Sequence, residues 1–202
     1  MGSRIMHLII ANQIADQFSL KDKPTFLLGG IVPDAVSPKD LSHFFAGSHS
    51  DYSRSIDFEK FINKYSSHKH SNFILGYYTH LIADDIWLKG FFLPWLKNRL
   101  ENDKDVFDRY HNDFRLLNGK LLDYYNFTNN FTQVITKEVE IVELQEVTEK
   151  DIEKFLPEVF EDMNYEQSSI KEQLSVFTFE QIVGYIETSV EKGAMYIKHL
   201  IR

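Results

Sequence analysis

The chain has 202 residues, 43% of them hydrophobic and 14% aromatic, no cysteine, and a formal charge of −8. This is enough apolar chain to bury a core, so a disordered tail is excluded. The missing cysteines exclude disulfides, Cys-based zinc sites and a Cys nucleophile. The acidic balance argues against a nucleic-acid partner, because phosphate backbones are held by Lys and Arg, but it permits a small phosphorylated substrate held by metal ions.

Apolar residues recur at helical spacing along most of the chain, which predicts an all-α, multi-helix bundle. Ile5, Ile9, Ala11, Ile14, Ala15 and Phe18 mark a first amphipathic helix, broken at Leu20 to Pro24. The run before it is too short and too quickly polar, at Asn12-Gln13, for a secretory signal, so the expectation is a cytoplasmic protein. Thr25 to Ile31 reads as a short buried segment ended by Pro33-Asp34. Ser37-Pro38-Lys39-Asp40 has the form of a helix start, with Ser37 as N-cap and Pro38 in the first turn. Residues 46–55 form a polar loop, Ile56 to Tyr65 a helix, and Ser66 to Asn72 a second loop. Phe73 to Leu88 is the most apolar helix, followed by helices at Phe91 to Leu100 and Val106 to Tyr125.

Residues 136–147 mix β-branched residues with partial alternation and fit either a strand pair or a helix. Asp151 to Met163 reads as helical despite Pro157, and Thr178 to Ile201 as a final helix capped by Thr178. No uncharged run reaches the roughly 18 residues of a membrane span, so no stable membrane insertion is expected. The expected organisation is one helical domain over 1–202, with a metal-site portion to about residue 125 and a helical extension over 126–202.

The chemistry concentrates in Gly76-Tyr77-Tyr78-Thr79-His80-Leu81-Ile82-Ala83-Asp84. His80 and Asp84 stand four apart, on one helix face. No charged residue lies between Ser71 and Ala83, so Asp84 enters a buried helix. A carboxylate there must be paired or bound to metal. Gly76, one turn earlier, leaves room for a neighbouring backbone or an ion. The plain alternative is a His–Asp hydrogen bond in the core.

Three further residues change the weighing. His7 lies on the inward face of the first helix, Asp34 follows Leu28-Gly29-Gly30-Ile31-Val32-Pro33, and His43 sits in Leu41-Ser42-His43-Phe44-Phe45. A core histidine, a turn aspartate and an aromatic-cluster histidine are their ordinary roles. Together with His80 and Asp84 they form the donor set of zinc or another divalent metal. His111 is a further candidate. His49, His68 and His70 fall in polar loops, and His199 reads as a helix-end cation. The His-Asp dipeptide of HD-type phosphohydrolases is missing, as are His-Glu-x-x-His, Glu-x-x-His, Gly-x-Ser-x-Gly and a P-loop.

The N-terminal His, Leu-Gly-Gly-Ile-Val-Pro-Asp, Ser-His-Phe and Gly-Tyr-Tyr-Thr-His-Leu-Ile-Ala-Asp, in this order, resemble the zinc-dependent phospholipase C family, in its intracellular bacterial branch. The resemblance covers residues 5–90, with vaguer helical similarity to about 125. It implies a bundle of the phospholipase C/P1 nuclease type in which zinc activates water against a phosphodiester. It also implies that Asp34, His43, His80 and Asp84 hold one metal, that Asp84 bridges to a second metal taken by His7, and that Asp34 is the position considered for the general base. The catalytic candidates are thus Asp34 and Asp84.

Two departures stand out. Gly90 occupies a position where the secreted enzymes have a ligand His, and Arg115 stands where they have a ligand Glu four residues after a His. One or two ions are therefore expected rather than three. His111 could complete a two-metal site, or Arg115 could hold a substrate phosphate. The functional expectation is a metal-dependent hydrolase acting on a small phosphodiester or phosphomonoester. The alternative is a non-catalytic metal-binding sensor or interaction protein on the same scaffold.

Overall fold

The structure is a computed structural model that describes residues 2–127 and 139–201. It is a mostly helical bundle, as the hydrophobic periodicity predicts. Helix α1 spans Arg4–Gln17 and starts where the Ser3 hydroxyl accepts the Met6 amide at 3.2 Å. Helix α2, Lys23–Gly29, is capped by Asp22, with Pro24 in its first turn. Both follow the rule that a short polar side chain at the N-cap satisfies an otherwise orphaned amide.

A two-residue antiparallel ribbon pairs Phe45–Ala46 with Ser55–Ile56, in register Phe45 to Ile56. Helix α3 is Phe58–Lys64 and helix α4 is Asn72–Trp87. Helix α4 is buried almost all round, which is why its sequence shows so little polar face. It packs against α2 on one side and, on another, against the last helix, α8 (Phe179–Leu200), which also lies against α1.

Close packing at the α2–α4 crossing depends on two glycines. A Cβ on Gly76 would stand 2.1 Å from the Phe26 carbonyl oxygen, and one on Gly29 the same distance from the Phe73 carbonyl oxygen. Only residues without side chains let the two backbones approach this far. The space that Gly76 leaves is thus filled by neighbouring backbone.

Three expectations are corrected. Ser37-Pro38 does not start a helix: residues 36–44 are a chain of turns. The single helix-like bond from the His43 amide to the Lys39 carbonyl, 2.9 Å, is not continued because Phe44 takes a left-handed φ of 51°. Phe91 does not open a separate helix. With no cap or breaker after Trp87, helical turns run on from α4 through a wider π-helical stretch, Leu88–Leu96, into α5 at Lys97–Asn102. Pro94, which has no amide to donate, lies within that wider stretch. In the ambiguous 136–147 segment, residues 136–138 lie outside the described residues, and 139–147 form neither strand nor helix. That part is fixed by side chains instead. The Tyr65 hydroxyl donates to Glu146 at 2.5 Å and accepts the Gln145 amide at 3.0 Å, while Leu144 and Val147 are buried.

Helix α6, Lys104–Tyr124, and helix α7, Glu149–Asp162, complete the α-helices among the described residues. Thr148 with Asp151, and Thr178 with Gln181, form reciprocal capping boxes at the starts of α7 and α8. Asp113 of α6 is fully buried and accepts the amides of Ser175, Val176 and Phe177 at 2.7–3.1 Å. This ties the approach to α8 onto α6. No described helix is long and apolar enough to cross a membrane.

Candidate metal centre

His7, Asp34, His43, His80 and Asp84, brought from α1, the turn after α2, the 36–44 turns and α4, meet at one buried point. Potential ligand atoms of His7, Asp34 and His80, and of His43, His80 and Asp84, each lie within 4.8 Å of one another. The side chains of the three histidines and Asp84 are wholly buried, and that of Asp34 nearly so.

The hydrogen bonds around the cluster fix which nitrogens face inward. His80 Nδ1 donates to the Gly30 carbonyl at 2.9 Å. That carbonyl is in reach because the glycine crossing draws α2 onto α4. Ser42 Oγ lies 3.2 Å from the Lys39 carbonyl oxygen and 3.0 Å from His43 Nδ1, so this ring nitrogen too has a partner outside the cluster. The Tyr77 hydroxyl steadies this turn by donating to the Ser42 carbonyl at 2.6 Å. Both rings therefore present Nε2 inward, and these two atoms are 3.2 Å apart. A proton carried on one of the two Nε2 atoms, or a metal ion between them, would reconcile this contact. Committed Nδ1 atoms with convergent Nε2 atoms are the usual outer-shell pattern of metal-ligating histidines.

Asp84 faces both ways. Its Oδ2 is 3.1 Å from His43 Nε2 and 3.7 Å from His80 Nε2, while Oδ1 is 3.2 Å from His7 Nε2 and accepts the Gly2 amide at 3.3 Å. His7 stacks on His80 with ring centroids 3.8 Å apart, and neither of its nitrogens has a hydrogen bond of good geometry. Buried nitrogens in that state fit a ligand's role.

Electrostatics agree with a ligand set. Burial, reinforced by His7, holds the His80 pKa well below its usual value, so the ring is neutral. Burial alone would raise Asp34, but Lys39 and a hydrogen bond from His43 hold it well below the carboxylate range. Burial would raise Asp84 too, and His7 and His43 are among the groups that bring it well below. His43 is raised, because hydrogen bonds to Asp34 and Asp84 outweigh its burial.

His111 is not part of this convergence. It is exposed on α6, edge-on to Phe107 and Tyr110, and lines a cleft of ≈ 450 Å³ that opens beside the cluster. Gly2, Asp34, Lys39, Arg115 and Phe155 line it too. His49 packs on Phe92, outside both ligand groups, and His68, His70 and His199 are exposed. Four contributors were not singled out in the sequence. Ser42, Tyr77 and the Gly30 carbonyl orient the histidines, and Lys39 is ion-paired to Asp34 Oδ1. Of these, only Ser42 carried a signal, as the polar neighbour of His43 in a segment that then fails to form a helix.

A family model described as zinc dependent phospholipase C matches residues 6–169. The chain belongs to the zinc-dependent phospholipase C family. Among curated proteins and among solved structures, no match to the chain is found. Membership implies metal-dependent phosphoesterase chemistry, and the buried His/Asp cluster is compatible with a metal site. The span matched by the zinc-dependent phospholipase C model contains all six candidate ligands and ends before α8.

Proposed function

We propose that the protein is a metal-dependent phosphoric ester hydrolase that uses one or two zinc-type ions held by His7, Asp34, His43, His80 and Asp84. The observation that carries this reading is the pair of inward Nε2 atoms, 3.2 Å apart with both Nδ1 atoms committed elsewhere. An ion bound there would supply a Lewis acid for a phosphoryl oxygen and would acidify water. Asp84, with one oxygen toward His43 and His80 and the other toward His7, fits a bridging position. Asp34 is ionised and stands at the border of cluster and cleft, where it can hold or take up a proton from an attacking water.

The opening of the site onto a cleft of ≈ 450 Å³ favours an enzyme over a sensor with a closed coordination shell. The substrate in this reading is a small phosphodiester or phosphomonoester. Placement in the intracellular bacterial branch, in the cytoplasm, belongs to the same proposal. It is supported by Gly90 and Arg115 standing where the secreted enzymes carry ligands.

The test is metal analysis of the purified protein, with assays on mono- and diesters for wild type and Asp84→Asn. Wild type is expected to retain zinc and hydrolyse at least one ester class. Asp84→Asn is expected to lose more than the about 10–100-fold that removal of an outer-shell partner costs. A wild-type protein that neither holds nor takes up zinc would overturn the reading, as would full activity in the variant.

A further inference from the structure

Helix α8 lies beyond the residues that the family model matches, yet one of its side chains reaches the metal centre. The helix sits close on α1 and α4: a Cβ on Gly193 would stand 2.8 Å from Ile14 Cδ1 and 3.4 Å from Thr79 Cγ2. Those two residues share their helices with His7 and with His80 and Asp84. Tyr185, about two turns before Gly193, is buried against the end of α4. Its ring stands edge-on to Trp87 at 5.1 Å and to Phe91 at 6.0 Å.

The hydroxyl of Tyr185 is the group without an explanation. It is buried and has no hydrogen-bond partner among the described residues. The Ser189 hydroxyl, four residues on, donates instead to the Tyr185 backbone carbonyl, at 2.8 Å. What the Tyr185 hydroxyl does face is the His7 end of the cluster. The point at which a Cβ on Gly2 would stand is 3.1 Å from Tyr185 Oη and 3.1 Å from His7 Nε2. Gly2 also gives its amide to Asp84 Oδ1 at 3.3 Å and lines the cleft. A buried polar group without a partner costs stability, so the fold gains nothing from this hydroxyl, and ring packing holds the side chain in place.

Coordination shows what is missing at that end. His7 Nε2 and Asp84 Oδ1 are 3.2 Å apart, and Asp34 shares a ligand group with His7, which makes three donors. Zinc is generally four-coordinate, and the position that a protein leaves open takes water or a substrate oxygen. With its lone pair on an ion, His7 Nε2 cannot accept from Tyr185, whereas an oxygen on that ion can. A phenol with its ordinary pKa of about 10 is protonated at neutral pH and has one proton to give.

We propose that Tyr185 is part of the active site, its hydroxyl the hydrogen-bond donor for the phosphoryl oxygen that takes the place of water on an ion at His7. This rests on the phosphoesterase reading and adds α8 to its site. Such a donor is worth most where the oxygen it meets gathers negative charge.

The test sets Tyr185→Phe beside Tyr125→Phe, which removes another buried hydroxyl with no partner among the described residues, at the end of α6. Calorimetry titrates inorganic phosphate into each zinc-loaded protein, a competitive chelator gives zinc affinity, and p-nitrophenyl phosphate and methyl p-nitrophenyl phosphate report turnover. Tyr185→Phe should weaken phosphate binding by about 10-fold or more, the scale of one charge-assisted hydrogen bond. It should lower kcat/KM at least as far on each ester that wild type hydrolyses. Zinc affinity should hold, and the thermal midpoint of the zinc-free protein should be unchanged or higher, because an unpaired hydroxyl leaves the core. Tyr125→Phe should match wild type in phosphate binding. Unchanged phosphate affinity in Tyr185→Phe overturns the proposal and leaves the phosphoesterase reading standing. A lower zinc-free midpoint in that variant overturns it too, since the hydroxyl would then be bonded within the fold. So does loss of zinc, which would make the hydroxyl a partner of the ion itself, and so does an equal loss of phosphate binding in Tyr125→Phe. If zinc-loaded wild type neither binds phosphate nor hydrolyses an ester, the phosphoesterase reading falls, and the role of Tyr185 falls with it.

Discussion

Ser42 is the smallest part of the site with a disproportionate effect. It is fully buried, and its hydroxyl stands between the Lys39 carbonyl and His43 Nδ1, in contact with both. Ser42→Ala removes this partner without creating a large cavity. Zinc affinity should fall by about 10–100-fold, the range for loss of an outer-shell partner, and the zinc-free protein should lose about 1–3 kcal/mol, the cost of a buried polar group left unpaired. A competitive chelator titration measures the first and denaturant unfolding the second; unchanged zinc affinity would show that His43 is oriented by packing alone. The five convergent residues were legible because each is a polar group in apolar sequence, where burial without a partner is costly. Lys39 was not legible, because a lysine in a polar segment has the look of any solvated charge. Arg115 was visible only against the family pattern. His111 was drawn in by residue type, and its place on the exposed side of α6 keeps it from the cluster.

At the scale of elements, the α2–α4 crossing links packing to coordination. The backbones touch at Gly29 and Gly76, and the same approach brings the Gly30 carbonyl to His80 Nδ1. Gly76→Ala would put a methyl 2.1 Å from the Phe26 carbonyl oxygen, and neither backbone can yield locally. We expect a loss of about 1–3 kcal/mol or more in unfolding free energy, the scale of overpacking a tight core, together with weaker zinc binding as Gly30 is pushed from His80. A fall in stability with zinc affinity intact would separate the two effects and refute the coupling. The existence and order of the helices could be read from periodicity and caps, as Thr178 and Thr148 illustrate. The turns at 36–44 could not. Ser-Pro-Lys-Asp has every local mark of a helix start, and what defeats it is the left-handed Phe44 and the need to deliver His43 to α4. Nor does local pattern reveal that 139–147 is pinned through Tyr65 and Glu146, since that anchoring joins residues about eighty positions apart.

At the scale of the molecule, the cluster is a liability that a metal converts into a staple. Two carboxylates and three imidazoles are concentrated in the core, where burial penalises every charge. Their side chains come from α1, from two turns and from α4, and α8 packs on both α1 and α4, so an ion there would tie most of the bundle together. Binding to the folded state alone stabilises by about 2.7 kcal/mol when zinc is at 100 times its dissociation constant. For a chain of this length that corresponds to about 5–10 °C in the thermal midpoint. Chelation should therefore lower the midpoint of the whole cooperative transition by this order, and zinc should restore it. Asp84→Asn should erase the zinc increment and also lower the midpoint of the chelated protein, because Asn keeps only one of the two acceptor oxygens that face the Gly2 amide and His43. Scanning calorimetry of both proteins, with and without chelator, gives the four midpoints required. If zinc raised both midpoints equally, the ion would bind elsewhere on the molecule.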